Sequence, residues 1–345
     1  MNRLDKIDIL SLTLDELTEK IIEIGEKKFR AAQIFDWLHC KQAENFSDMS
    51  NISLSLSTKL NEIFCIKKLN VVRKLESSID NTVKYLYELP DGNHIESVLM
   101  DYKHGNSLCI STQVGCKMGC KFCASTIAGF KRNLLPSEIL QQVYSAERNS
   151  GRHVDSIVLM GIGEPLDNFD NVMRFLEILS CEKGRNMSLR HVSLSTCGLV
   201  DRINELAERR TGLTLSVSLH APTDEKRSEI MPVNNRYNIA ELMSACRKYI
   251  DKTGRRISFE YAVIKDVNDK KTDADALLKL LKGMNCHLNL IPVNEIRERE
   301  FRADKNSLHS FAKYLSDKGL NVTIRRTLGA DIDAACGQLR REYEI

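Results

Sequence analysis

Apolar residues recur three and four positions apart through DELTEKIIEIGEKKFRAAQIFDWLH, the spacing of one buried helix face. Thr13 and Glu16 have the form of a capping box that starts the run. A second amphipathic helix is predicted near SLSTKLNEIF, so the chain up to about residue 75 reads as helical. Next, VKYLYEL and HIESVLM flank Pro90, Asp91 and Gly92, two β-type runs around turn chemistry, which predicts a hairpin. From about residue 102 the rhythm changes again. Short runs rich in β-branched residues (NSLCIST, DSIVLMG, HVSLST, LTLSVSLH, RISFEYAVI, CHLNLIPV and NVTIRR) are separated by helical patterns, which predicts βα units and a parallel sheet. Six or seven strands are too few for a closed eight-stranded barrel, so the expected fold is α/β, a partial (βα)6 barrel whose open side can admit a large substrate. The expected organisation is a helical accessory domain over 1–75, a β-hairpin linker over 76–101, the barrel over 102–329 and a cysteine-bearing loop and tail over 330–345.

Composition narrows the setting. The chain has 345 residues, 42% of them hydrophobic and 28% charged, with 6 Pro and 17 Gly, which excludes disordered and collagen-like classes. No apolar run approaches the roughly 20 residues that span a bilayer, and the start MNRLDKIDILSLTLDEL places acids where a signal peptide has its apolar stretch. The expectation is a cytoplasmic protein with no membrane association. In that compartment thiols stay reduced, so the 11 cysteines are not a disulfide framework. With 50 basic and 47 acidic side chains the net charge is only +3, which leaves no global field for a polyanion.

The cysteines carry the candidate chemistry. Cys116, Cys120 and Cys123 stand in QVGCKMGCKFCAS, a spacing that chance would give about once in a hundred chains with this cysteine content. Three thiolates on a loop with Gly115 and Gly119 can hold three irons of a [4Fe-4S] cluster and leave the fourth iron open to a ligand. Zinc is the alternative, although structural zinc takes four protein ligands and no fourth lies at finger-like spacing.

The CxxxCxxC loop after the first barrel strand resembles the radical S-adenosylmethionine (SAM) superfamily, whose open iron chelates the amino and carboxyl groups of SAM. More closely, LCISTQVGCKMGCKFCASTIAGFKRNL, VLMGIGEPLDN, VSLSTCG, SVSLHAPTDEKR, NLIPVN and GADIDAACGQL, with FRAAQIFDWLH in the accessory part, are together similar to the RlmN family of RNA adenine methyltransferases. The resemblance implies methylation of carbon 2 of adenine in 23S rRNA and beside the anticodon of some tRNAs. Carbon 2 is electron-poor and does not attack SAM directly, so the implied route uses a 5′-deoxyadenosyl radical acting on a methyl group already on the protein, with two SAM consumed per turnover. Cys336 matches the methylated cysteine, a thiolate well suited to an ordinary displacement on the first SAM. Cys109 matches the second family cysteine, which removes the carbon 2 proton and closes a disulfide with Cys336. Glu96 matches a glutamate implied as proton acceptor. Gly163 and Glu164, then Ser195, Ser218, Leu219, His220 and Asn294, match family positions that contact SAM, most of them at successive strand ends.

A Cfr-type relative that methylates carbon 8 and confers antibiotic resistance is the alternative within the same chemistry. Pro165 in GIGEPL favours the carbon 2 branch, whereas Leu328 is shared with Cfr-type sequences. An alternative of another class is a zinc-stabilised, non-catalytic RNA-binding protein. RNA contact is assigned to local basic groups: Lys27, Lys28 and Arg30 around Phe29, Lys131 and Arg132, Arg325 and Arg326, and Arg340 and Arg341. The other expected partner is an electron donor such as flavodoxin or ferredoxin, and the chain is expected to act as a monomer. Cys40, Cys65, Cys181, Cys197, Cys246 and Cys286 read as ordinary core or surface residues.

Overall fold

The computed structural model describes residues 6–296 and 298–339. Thr13 caps α1 (Leu14–Glu23), its hydroxyl accepting from Glu16 N–H while the Glu16 carboxylate accepts from Thr13 N–H, an arrangement worth about 1 kcal/mol. The long apolar run does not continue as one helix. Gly25 takes a φ of +80° and the chain restarts as α2 (Phe29–His39), followed by α3 (Leu54–Ile63). Short strands β1 (Ile7–Asp8) and β2 (Phe64–Cys65) pair in parallel and close this N-terminal module. Phe35 and Leu38 of α2 are fully buried in the core shared with the main sheet, so the module is packed onto the sheet domain rather than tethered to it.

Residues 70–76 depart from the helical expectation. They form β3 (Asn70–Glu76), antiparallel to β4 (Val83–Glu88), which pairs with β5 (His94–Tyr102) and that with β6 (Gly105–Cys109). The predicted hairpin is therefore β4–β5, and it extends the main sheet instead of standing apart from it. Its turn is tied to the site: Arg132 donates to Asp91 at 2.5 Å and to Glu138 at 2.7 Å. These ties hold Asp91 down at about 2, since Arg132 and the Asn93 N–H offset the effect of burial. Its contribution to stability is therefore present above the ordinary carboxylate pKa and is lost as pH falls through about 2.

The parallel half follows the predicted order. A two-stranded ribbon, β7 (Gln113–Val114) and β8 (Arg132–Asn133), brackets the cysteine loop. Beyond it, α4 (Pro136–Ser150), β9 (Ser156–Leu159), α5 (Phe169–Ser180), β10 (Val192–Thr196), α6 (Val200–Arg209) and β11 (Thr214–Ser218) alternate along the chain. Then come α7 (Asp224–Ile230), α8 (Ile239–Thr253), β12 (Ile257–Val263), α9 (Lys271–Leu281), β13 (Cys286–Pro292), α10 (Lys305–Asp317) and β14 (Val322–Ile324). The sheet order β14-β13-β12-β11-β10-β9-β6 is parallel throughout, an open barrel of seven strands.

Parallel strands buried on both faces are normally near-continuous apolar runs. Here the pattern alternates. Leu194, Leu215, Val217, Phe259, Leu288 and Leu290 are buried in the core against the helices. Between them stand Ser195, Ser216, Ser218, Ser258, Glu260 and Asn289, paired in register across β10 to β13. The inner face is thus polar, so the half-barrel encloses a ligand cavity where a closed barrel would have packed side chains.

Candidate active site

The cysteine loop leaves the C-terminal end of β6, and its neck demands glycine. Gly115 has a φ of +73°, and a Cβ there would lie 1.7 Å from the Gly129 carbonyl oxygen. Gly115→Ala therefore combines a clash with left-handed backbone strain, a cost of roughly 2–5 kcal/mol. It is expected to lower both the thermal midpoint and the iron bound per chain, and iron content equal to wild type would show that the neck does not shape the loop.

Cys116, Cys120 and Cys123 line one cavity of about 950 Å³, part of it open to solvent, at the C-terminal ends of the strands. All three thiols are free; Cys116 senses Cys123, and Cys120 senses both Cys123 and Cys116. Withdrawal from water pushes Cys116 up to about 12 and Cys120 well above an ordinary thiol. Thiols in such a place become thiolates by exchanging their protons for a metal centre. Among the described residues no three His, Cys, Asp or Glu side chains converge as ligands of one metal ion.

Gly163, Glu164, Ser195, Ser218, His220, Asn294 and Cys336 line the same cavity, so the structure brings these sequence-predicted residues together with Cys116, Cys120 and Cys123. Gly163 has a φ of +110°, and a Cβ there would lie 2.6 Å from the Gln113 Cβ, so the position demands glycine. Glu164 is buried, and its carboxylate accepts from Cys197 N–H at 2.7 Å and from Leu166 N–H at 3.0 Å. Burial nevertheless raises its pKa, so it stands ready for a cationic partner such as an amino group. His220 has a φ of +56°; its Nδ1 accepts from Ala262 N–H at 2.8 Å, and its ring meets Phe122 edge-on at 4.7 Å. Burial, aided by Arg227, drops its pKa to about 3, so the imidazole stays neutral. The ring is therefore expected to show no titration of its nitrogen NMR shifts between about pH 5 and 8, the range in which an ordinary histidine titrates.

Other predicted residues sit elsewhere. Leu219 is fully buried outside the cavity, its N–H donating to Glu260 O at 3.0 Å, so it fixes the strand end. Asn294, on the cavity wall, donates from Nδ2 to the Cys336 carbonyl at 2.9 Å, which ties the loop that carries Cys336 to the end of β13. Cys109 lines a neighbouring cavity that also includes Cys336, Met160, Asn294 and Arg325. Its thiol is pushed up to about 12 by burial, with a smaller effect from the Cys336 sulfur. Glu96 lines neither cavity. It is buried and pairs with Lys84 at 2.9 Å, and Lys84 donates to the Asp333 carbonyl at 3.1 Å, in the loop before Cys336.

The basic groups also sort themselves. Lys27, Lys28 and Phe29 are exposed, as are Lys131 and Arg326. Arg132 is engaged by Asp91 and Glu138, and Arg325 is drawn inside to the cavity wall, 3.7 Å from Glu260, so neither is a surface phosphate ligand. Arg340 and Arg341 lie outside the described residues. Glu260 is a cavity residue that sequence reasoning passed over, and Arg325 is one that it assigned to RNA contact. The signal for Glu260 was present, a carboxylate on the inner face of an otherwise apolar strand, ISFEYAV.

Comparison with known proteins gives the matching family. The radical SAM superfamily matches residues 110–280, and the ribosomal RNA large subunit methyltransferase N-terminal domain matches residues 7–66. The chain is 56% identical, over 97% of each sequence, to a Clostridium botulinum protein named "Probable dual-specificity RNA methyltransferase RlmN". The chain belongs to the RlmN family. A Clostridium perfringens RlmN is 54% identical over 97% of each sequence. The crystal structure of a radical SAM methyltransferase from Sphaerobacter thermophilus superposes with a TM-score of 0.94 at 41% identity, covering 97% of this chain and 100% of that one. RlmN membership brings a [4Fe-4S] cluster and SAM as cofactors, two SAM per turnover, and replaces the zinc-module reading with a radical SAM methyltransferase. Among the described residues no helix is long and apolar enough to cross a membrane.

Proposed function

We propose that this chain methylates carbon 2 of adenine in 23S rRNA and in tRNA, with Cys336 as the methyl carrier and Cys109 as the resolving thiol. The observation that carries this reading is the position of Cys336, which lines the cavity of the three cluster cysteines and also the adjoining cavity of Cys109. A carrier has to meet SAM on one side and the RNA base on the other. Cys116, Cys120 and Cys123 would hold the cluster, with Glu164, Ser195, Ser218 and His220 around SAM. When bound, these groups supply the electron and the SAM-derived radical that activate an otherwise inert methyl group.

The chain's own residues do the rest. The Cys336 sulfur takes a methyl group from one SAM by displacement, releasing the neutral thioether S-adenosylhomocysteine. Asn294 holds the Cys336 carbonyl, while Lys84, anchored by Glu96, holds the Asp333 carbonyl, so both ends of the turn are fixed. Glu96 then acts on the loop through Lys84 instead of at the base. With the methylene on the Cys336 sulfur bonded to carbon 2, Cys109 takes the carbon 2 proton; it then attacks the Cys336 sulfur as a thiolate, the sulfur–methylene bond breaks with its electron pair left on the carbon, a proton completes the methyl group, and an external reductant reopens the disulfide. A Cys109→Ala variant is therefore expected to accumulate a covalent protein–RNA species, visible as a shifted band on denaturing gels; its absence would remove the resolving role.

Lys27, Lys28 and Arg30 would contact RNA backbone beside the exposed ring of Phe29. Charge reversal at all three is expected to weaken RNA binding by tenfold or more at low salt, and unchanged affinity would remove the accessory module from the interface. Mass spectrometry of nucleosides from 23S rRNA and tRNA, after incubation with protein, SAM and a reductant, tests the regiochemistry. 2-Methyladenosine is expected, and 8-methyladenosine would point to the Cfr-type reaction.

A further inference from the structure

Arg227 is the largest of the fully buried side chains, with no exposed surface, and neither the loop motif nor the strand-end pattern accounts for it. Its guanidinium donates to Cys197 O at 2.6 Å, Ser218 O at 3.1 Å, Leu219 O at 3.1 Å and Asn234 Oδ1 at 3.0 Å. Every one of these acceptors is neutral. A buried arginine normally pairs with a carboxylate, because attraction has to offset the loss of hydration. Burial pushes its pKa down, and the ionisable groups it faces are, in order of influence, the thiols of Cys197 and Cys120, the Asp224 carboxylate and the Cys246 thiol. Cys197 and Cys120 both line the cavity of the cluster loop, and the three acceptor carbonyls lie at the ends of β10 and β11 that form its floor.

We propose that Arg227 is a buried countercharge for the cluster held by Cys116, Cys120 and Cys123, and that its charge makes the protein easier to reduce. The inference rests on the placement of the cluster at those cysteines. A [4Fe-4S] centre with three thiolate ligands carries one net negative charge and gains a second when it accepts its electron. A fixed cation in a low-dielectric wall favours the more negative state, and Arg227 has no exposed surface at which solvent would screen it. Arg227 is not among the residues that line the cavity, so it acts through the cluster as a positioning residue.

The test is a redox titration of the anaerobically reconstituted holoenzyme, followed by electron paramagnetic resonance, for wild type, Arg227→Met and Arg227→Lys near neutral pH. Loss of the charge in Arg227→Met is expected to reduce the ratio of reduced to oxidised cluster at a given potential by about tenfold, a fall of about 59 mV for one electron. Arg227→Lys, which keeps the charge but loses the planar fork of hydrogen bonds, is expected to stay near wild type, since a lysine beside an anionic centre keeps its proton. If Arg227→Met does not fold, Arg227→Gln carries the same prediction and retains donors for the carbonyls. A folded neutral variant with unchanged potential overturns the proposal, and so does a lysine variant that falls as far as the neutral one, because geometry alone would then explain the effect. Iron content separates the two layers: wild-type protein without iron overturns the cluster placement and this proposal with it, whereas full iron with unmoved potentials overturns only the role of Arg227.

Discussion

Cys336→Ala is expected to reduce RNA methylation to less than about a thousandth of the wild-type rate, because it removes the one thiol that, among the described residues, lines both cavities. The same variant is expected to keep its iron, since Cys336 is not among the three loop cysteines, and to keep cleaving SAM when supplied with a reductant. 5′-Deoxyadenosine would then form without methylated RNA, an uncoupling that a general folding defect does not produce. Chromatography of nucleosides from one reaction reads both outcomes. If RNA methylation persists at more than a few per cent of wild type, the methyl group does not travel through Cys336. The substitution removes one sulfur from a half-buried loop position, so the fold should be little affected.

Cys120→Ala should be the more global lesion. It removes the middle of three ligands, the one whose thiol senses both Cys116 and Cys123. Two thiolates do not hold a four-iron centre against loss, so the variant should be colourless after reconstitution, with iron per chain well below half of wild type. SAM cleavage and RNA methylation should fall together by at least three orders of magnitude, in contrast with the split seen in Cys336→Ala. Circular dichroism should remain that of the wild type, because the loop stands outside the main apolar core. Retention of a brown colour and SAM cleavage would mean that another residue serves as the third ligand.

The two cysteine groups were legible in the sequence for different reasons. Cys116, Cys120 and Cys123 announced themselves by spacing alone, whereas Cys109 and Cys336 gained meaning only from the family resemblance and then from their shared cavity. The seven barrel strands were legible because their outward residues, such as Leu215, Val217 and Leu288, must face helices and are therefore apolar. β3 was not legible. NVVRKLE is a solvent-facing edge strand, and its charges mimic a helical surface. The polar lumen was written in the alternation of VSLST and ISFEYAV but takes its meaning from closure of the sheet, which no local pattern states. Burial was the hardest property to foresee. Arg325 reads as half of a basic pair and lies on the cavity wall; Arg227 reads as a charged helix residue and has no exposed surface; Glu96 reads as a catalytic base and is held in a buried ion pair with Lys84. Each depends on which elements fold over the residue, and that is set by chain segments far away in sequence.

The relay of the methyl group through Cys336 is tested most directly by a single-turnover labelling experiment. Protein is first loaded on Cys336 from SAM with an isotopically labelled methyl group, freed of SAM, and then given unlabelled SAM, a reductant and RNA. The account predicts that the first methyl group to reach adenine carries the label, and that the Cys336 peptide loses its label in step with product formation. A first product with an unlabelled methyl group, formed while the label stays on Cys336, would contradict it.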